Sequence, residues 1–401
     1  MKKQVKVIIG ANYGDEGKGL ATVYFAEQAQ RQDQKCLNVL FNGGCQRGHT
    51  VETEDGFRHV YSHFGCGSHF GADTYFDRNF MVNPVMFIQE CHKLTGKGEK
   101  IPKCFISPKC RVITIYDMLI NQIRENHRGN DRHGSCGHGI WETRRRYDNG
   151  KFAKTFGELV NMKEFELHNY LYRIANEYSM NRLKYCGISL EDIPDRYMSH
   201  FCSEGLINHY IRDFKEMINH VKIAEFDDIV DQYDFIIFEG AQGLGLDEDN
   251  YIEIPHTTAS HTNSDIPRER VENLDCEIEI VYVTRTYFTR HGAGRLITEC
   301  PKEEINPDIV DLTNEPNDYQ GTIRYGKFDK DDFWDRVCND GYITPALSHK
   351  VKDYAIFITH LNETNNEICG NITIRELWLS SDKVYVADGK YTSNVKVLED
   401  D

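Results

Sequence analysis

The sequence predicts an α/β protein built on a large central, mostly parallel sheet with flanking helices. Three observations carry this. Short β-branched and aromatic runs recur along the chain, several of them stop at glycine-rich turns, and a long stretch of helical periodicity separates the early runs from the late ones. With 401 residues, 40% of them hydrophobic and 27% charged, the chain can bury a large core and has ordinary globular composition.

Val5, Val7, Ile8 and Ile9 form a run ending at Gly10, the pattern of a buried central strand. Leu20 to Arg31 reads as a helix with Leu20, Val23 and Tyr24 on its apolar side, and Cys36 to Phe41 reads as a second strand that runs into Asn42-Gly43-Gly44. From about Phe156 to Asp231 the spacing is helical: Leu167, Leu171 and Ile174, then Ile207, Tyr210, Ile211 and Phe214. Strands return at Asp234 to Phe238, Ile278 to Val283 and Tyr354 to Thr359. No repeat, low-complexity tract or proline-rich linker interrupts the chain. The expectation is one α/β domain over residues 1–401 with a mostly helical elaboration at about 156–231.

The net charge of −16 argues against nucleic-acid and membrane-surface partners, because phosphate-rich surfaces would be repelled. Thirteen cysteines, an odd number without C-x-x-C spacing, read as reduced thiols in a cytosol-like compartment. Met1-Lys2-Lys3-Gln4 leads directly into the first strand, so no signal peptide is visible, and no apolar run is long enough to span a bilayer. The expected location is cytoplasmic (host cytoplasm if the chain is viral).

The strand ends carry the chemistry. Gly14-Asp15-Glu16-Gly17-Lys18-Gly19 follows the first strand. Glycines let backbone N–H groups face a phosphate, the helix N-terminus adds partial positive charge, and Lys18 adds a full one. It is not a Walker A loop: Asn12 stands at the first glycine position and Gly19 replaces the metal-binding hydroxyl residue. Asp15 is then the local candidate for metal binding or proton transfer. Gly43-Gly44-Cys45-Gln46-Arg47-Gly48-His49-Thr50 and Phe238-Glu239-Gly240-Ala241-Gln242-Gly243 place further polar side chains in glycine frames after strands. Each turn alone is a common structural device, but three together are not explained by turn geometry.

These pieces, with Thr289-Arg290-His291-Gly292-Ala293-Gly294 and the Gly134 to Gly139 loop followed by arginines, resemble the adenylosuccinate synthetase family over nearly the whole chain. The resemblance implies that family's P-loop-NTPase-like fold and a Mg²⁺-dependent ligase of two steps. Asp15 would deprotonate purine N1 and, with Gly48, hold the metal; His49 would be general acid to the phosphoryl transfer, and Lys18 would attend the phosphates. Gly14, Glu16, Gly17, Gly19, Thr50, His360 and Asn362 match the triphosphate site. Gln46, Cys136, Gly137, Gln242 and Thr257 match the acceptor nucleotide site. One of Arg144, Arg145 or Arg146 matches an arginine donated across a homodimer. His291, Gly321, Thr322 and Arg324 match the L-aspartate site.

Several positions depart from the family pattern. Thr322 stands where an arginine would reach the ribose 2′-hydroxyl, which fits a 2′-deoxynucleotide. Thr359-His360-Leu361-Asn362 replaces Thr-Lys-Leu-Asp, and an amide at Asn362 suits adenine's mixed donor and acceptor edge. Gln46 and Cys136 replace asparagine and threonine. These changes are similar to the phage-type branch, the 2-aminoadenylosuccinate synthetases, and imply dGMP as acceptor with ATP as donor. Asp15 points the other way, since that branch commonly has a small residue there, and leaves IMP or dIMP with GTP open; dATP is a further possible donor. Two other classes compete: a nucleotide-binding regulator without ligase chemistry, and a metal centre using His133, Cys136 and His138.

Overall fold

The computed structural model describes residues 2–314, 319–342, 350–379 and 381–398. In chain order the first strands are β1 (Lys3–Gly10), β2 (Cys36–Leu40), β3 (His49–Glu52), β4 (Arg58–Tyr61), β5 (Asp73–Phe76), β6 (Met81–Val82), β7 (Cys104–Ile106) and β8 (Arg111–Val112). There follow β9 (Val221–Ile223), β10 (Phe235–Gly243), β11 (Cys276–Arg285), β12 (Phe288–Arg290), β13 (Glu299–Cys300), β14 (Arg324–Gly326), β15 (Val351–Thr359), β16 (Lys383–Ala387) and β17 (Val395–Leu398). Ten of these make one sheet in the order β17-β16-β15-β11-β1-β10-β2-β5-β7-β9. Every pairing in it is parallel except β16 with β17 at one edge.

Alternation of side chains along the strands builds a core on each face. On β1, Ile8 packs into one core while Val5, Val7 and Ile9 pack into the other. On β10, Phe235 and Ile237 face the first core, and Ile236 and Phe238 the second. The first core is covered by α1 (Lys18–Arg31), α2 (Pro84–Gly96) and α3 (Ile115–Arg128); α4 (Ile140–Asp148) follows. Parallel strands aligned in this way bring their C-terminal ends, and so the glycine turns, to one edge of the sheet.

The elaboration contains α5 (Phe156–Val160), α6 (Glu164–Arg173), α7 (Met180–Tyr185), α8 (Asp195–Phe201) and α9 (Glu204–His220). The periodic residues Leu167, Leu171, Ile174, Ile207, Tyr210, Ile211 and Phe214 are all buried in the same core as α1. It is not helical throughout. After α9 the chain forms β9, which pairs with β7 as an edge strand of the main sheet; three residues carry too short a pattern for periodicity to separate a strand from a helix end. Among the described residues, no helix is long and apolar enough to cross a membrane.

Candidate active site

The turn after β1 is braced from inside. Glu16, 2% exposed at its side chain, accepts from the N–H groups of Asn12 and Gly14, both at 2.9 Å, and its other oxygen pairs with Lys18 Nζ at 2.6 Å. Glu16 therefore spends its carboxylate on the loop and on Lys18. Gly17 has φ 89°, and a Cβ there would lie 2.8 Å from Thr359 Cγ2, so only glycine fits against β15. Asp15 adopts φ 59°, an uncommon conformation for a residue with a Cβ. Arg285 Nε donates to the Asp15 carbonyl, Thr289 Oγ1 donates to the Gly14 carbonyl at 3.2 Å, and the Asp15 carboxylate lies 3.5 Å from His291 Nε2.

The second turn is tied to the third. Asn42 accepts from Ala241 N at 2.8 Å and donates to the carbonyls of Ala241 and His261. His49 Nδ1 lies 2.6 Å from Glu239 Oε1, Arg47 Nη1 lies 3.2 Å from the same oxygen, and Cys66 N donates to Oε2 at 3.0 Å. Burial alone would raise the Glu239 carboxyl, but Arg47 and His49 hold it at about 2. Burial pushes the His49 imidazole down to about 4 against the pull of Glu239, so it is neutral at pH 7 and donates Nδ1–H to Glu239. His49, Cys66 and Glu239 are close enough to share a metal ion. Arg47 already neutralises Glu239, and burial holds the Cys66 thiol well above its ordinary value, which argues against a metal there.

A cavity of about 1150 Å³ lies across these turns and is lined by Gly14, Asp15, Glu16, Gly17, Lys18 and Gly19, and by Gln46, Gly48, His49 and Thr50. Both amide atoms of Gln46 are buried there without a hydrogen-bond partner, as is the hydroxyl of Thr257. Gln242, at φ 67°, Cys136, Arg145, His291, His360 and Asn362 also line it. Thr50 Oγ1 meets Thr313 Oγ1 at 2.7 Å across the cavity edge. His360 Nδ1 contacts Thr359 Oγ1 at 2.7 Å, and burial pushes its imidazole well below its ordinary value.

Other expected residues do not border the cavity. Arg146 is buried and bonded to Asp117 by Nε and Nη2, both at 2.9 Å, and to main-chain carbonyls; it holds α4 to α3, which corrects its assignment to the acceptor nucleotide. Arg144 pairs with Asp148 at 3.2 Å and Glu248 at 3.4 Å. Arg145, which does border the cavity, is 55% exposed and stacks over Trp141. Gly137 lies behind the cavity wall, and Gly321 and Thr322 lie outside it. Arg324 is turned to Glu299 at 2.6 Å and to the Gly294 carbonyl. Metal-type donors of the described residues gather in two places, neither of which is His133, Cys136 and His138.

Sequence reasoning did not single out Glu239, Arg47 or Arg285 as functional. Glu239 and Arg285 did leave a signal, because Glu239 directly follows the apolar run Phe235 to Phe238 in the middle of β10 and Arg285 is the last residue of β11. Arg285 is buried at the cavity, and its charge is stabilised by Tyr287, Asp311 and Asp15 against the effect of burial.

A parallel sheet with phosphate-type glycine turns and a buried carboxylate–imidazole pair at its strand ends defines a nucleotide-binding α/β protein. Residues 7–329 match the family model described as adenylosuccinate synthetase, and the chain belongs to that family, one of C–N bond-forming ligases. It is 26% identical over 349 residues to the adenylosuccinate synthetase of Limosilactobacillus fermentum, covering 80% of this chain and 71% of that protein. It is 27% identical to that of Clostridium perfringens, covering 74% of this chain and 66% of that protein; the chain thus spans about two thirds of the length of such relatives. Among solved structures, the fully ligated adenylosuccinate synthetase of Plasmodium falciparum shares the fold with TM-score 0.69 at 16% identity, over 99% of this chain and 100% of that one. The succinoaminodeoxyadenylate synthetase of cyanophage S-2L, bound to dGMP and dATP, does so with TM-score 0.62 at 14% identity, over 99% and 95%.

Proposed function

We propose that the chain is a ligase that joins L-aspartate to C6 of a 6-oxopurine nucleoside monophosphate, using a purine nucleoside triphosphate. The observation that carries the reading is the convergence of Asp15, Lys18, His49 and Gln242 from three strand ends on one cavity. Asp15 takes the N1 proton and the 6-oxygen attacks the γ-phosphorus. The O6–P bond forms and the bond to the β–γ bridging oxygen breaks, releasing the diphosphate. The amine of aspartate then adds at C6 and inorganic phosphate leaves. His49, oriented by Glu239, takes a proton as the phosphates bring negative charge beside it and donates toward the transferring group; Lys18 supplies positive charge at the phosphates. The Asp15 carboxylate and the Gly48 main-chain oxygen are the hard donors that would hold Mg²⁺, which neutralises phosphate charge when bound, and both border the cavity.

The favoured pair is dGMP with ATP. Supporting it are the free amide of Gln46, the amide rather than carboxylate at Asn362, and Thr322 in place of a ribose-binding arginine. The second reading, IMP or dIMP with GTP, is favoured by the Asp15 carboxylate in the cavity and by curated relatives named adenylosuccinate synthetase. In a homodimer, Arg145 is the arginine proposed to cross, being the most exposed of the three. The elaboration is proposed to belong to the same domain as the sheet, because the two share one core, and the location to be cytoplasmic. The test is aspartate-dependent phosphate release with Mg²⁺, crossing dGMP, dIMP and IMP against ATP and GTP. Fastest turnover with dGMP and ATP supports the first reading, fastest turnover with IMP and GTP the second, and no aspartate-dependent release with any pair refutes the ligase.

A further inference from the structure

Between β13 and β14 the chain returns to the cavity at residues 309–314. Arg58 Nη2 holds this strap by donating to the Leu312 carbonyl at 3.1 Å. Asp311 folds it into a turn, accepting from the N–H groups of Thr313 and Asn314, both at 2.9 Å. The second Asp311 oxygen accepts from Asn314 Nδ2 at 2.8 Å and lies 3.6 Å from Arg285 Nη2. Burial would raise the Asp311 carboxyl, but the Asn314 hydrogen bonds and the Arg285 charge hold it below its ordinary value. A carboxylate only accepts, so the Asn314 amide must turn its nitrogen to Asp311 and its oxygen away. That oxygen lies 3.1 Å from His291 Nε2. Nε2 therefore carries a proton, and the same N–H lies 3.5 Å from Asp15 Oδ2. His291 Nδ1 is buried without a hydrogen-bond partner, so no second bond sets the tautomer. Among the described residues, the side chain that pairs with the Asp15 carboxylate is His291.

We propose that Asp311 and Asn314 are positioning residues for the ligase: they fix the Nε2–H tautomer of His291, whose N–H orients the Asp15 carboxylate. The proposal rests on the reading of Asp15 as the base at purine N1. The opposite tautomer would set a bare Nε2 lone pair against the Asn314 oxygen and the Asp15 carboxylate, three acceptors face to face. Arg285 closes the network on its far side, lying against Asp311 with Nη2 and donating to the Asp15 carbonyl with Nε. Asp15 is thus fixed at both ends, its main chain by Arg285 and its carboxylate by His291. Direction matters here because a base takes a proton only within hydrogen-bond reach and in line with it. Asp311 and Asn314 act only through His291.

The experiment joins a tautomer measurement on the full chain with steady-state phosphate release. In long-range ¹H–¹⁵N spectra of the histidines at pH 8, His291 is expected in the Nε2–H form, its signals assigned by their loss in His291→Gln. An Nδ1–H form overturns the proposal whatever the activity. Asn314→Ala and His291→Leu should each lower kcat about 10- to 100-fold while the KM for the nucleoside triphosphate changes by less than about twofold. His291→Gln keeps a side-chain N–H and should restore most of the kcat lost in His291→Leu. A folded Asn314→Ala with kcat within about twofold of the unmodified chain, or His291→Gln no faster than His291→Leu, overturns the proposal. If one variant does not fold, the tautomer and the remaining variants decide. No aspartate-dependent release from the unmodified chain with any nucleotide pair refutes the ligase reading and the role within it, whereas an Nε2–H signal still upholds the fixed tautomer, so the two fail separately.

Discussion

Glu239 Oε1 accepts the Nδ1 proton of His49 at 2.6 Å while Arg47 lies 3.2 Å from the same oxygen. A carboxylate from the centre of the sheet thus fixes the tautomer and direction of an imidazole carried by the β3–β4 hairpin. Second partners of this kind set what a histidine can do. Glu239→Gln should lower kcat about 10- to 100-fold with little change in KM. Steady-state kinetics of phosphate release decide it; a variant with unchanged kcat would remove Glu239 from the mechanism.

The His49 imidazole gives a pH dependence with a definite sign. Its folded-state value is about 4, below its ordinary 6.5, so the unfolded chain binds the proton first as pH falls. The contribution is present above pH 6.5 and lost progressively down to about 4, a span worth about 3 kcal/mol. Urea melts across this range should show a shallower acid decline in His49→Asn than in the unmodified chain. Histidine NMR should show His49 titrating below pH 5 without ligand and higher once triphosphate is bound.

Glu16 braces two backbone N–H groups and Lys18 at once. Removing one partner of a buried ion pair leaves the other charge uncompensated, so Glu16→Ala should cost about 3–5 kcal/mol of stability. Chemical denaturation measures it, and a loss under 1 kcal/mol (about fivefold in the folding equilibrium) would show that water replaces the brace.

Arg145 and Arg146 separate cleanly. Arg146→Ala strands Asp117 in the core and should destabilise by about 3–5 kcal/mol. Arg145→Ala should change stability by less than about 0.5 kcal/mol while raising the KM for the nucleoside monophosphate. Thermal melts and monophosphate titrations on the two variants test this pair. Equal destabilisation would contradict it.

Asn362→Asp exchanges an amide for an acceptor-only carboxylate. The ratio of kcat/KM for ATP to that for GTP should fall by about tenfold or more, the effect of one base-edge hydrogen-bond mismatch. A ratio that stays constant would place donor selection elsewhere.

Much of the fold was legible because apolar runs such as Val5 to Ile9 and Ile278 to Val283 must be buried on both faces, and glycine turns mark where they end. Asp15, Lys18 and His49 stand out as candidates for the same reason: each stands in a glycine frame after a strand. Glu239 and Arg285 left a weaker trace, a charge directly after an apolar run, and β9 was too short to leave one.

By itself the sequence determined the class of fold, the long buried strands, the helical segment, and the strand ends that could carry chemistry, since periodicity and glycine conformational freedom are local properties. Only the tertiary structure decided which charges are neutralised. Three consecutive arginines look alike in sequence, yet Arg146 is bound in the core by Asp117, Arg144 is shared between Asp148 and Glu248, and Arg145 stays exposed. Glu16 and Glu239 were likewise given their partners, Lys18 and His49, by packing. The energy of a charge depends on its burial and on the groups within a few ångströms, and for the pair Glu239 and His49 those groups lie 190 residues apart in the chain.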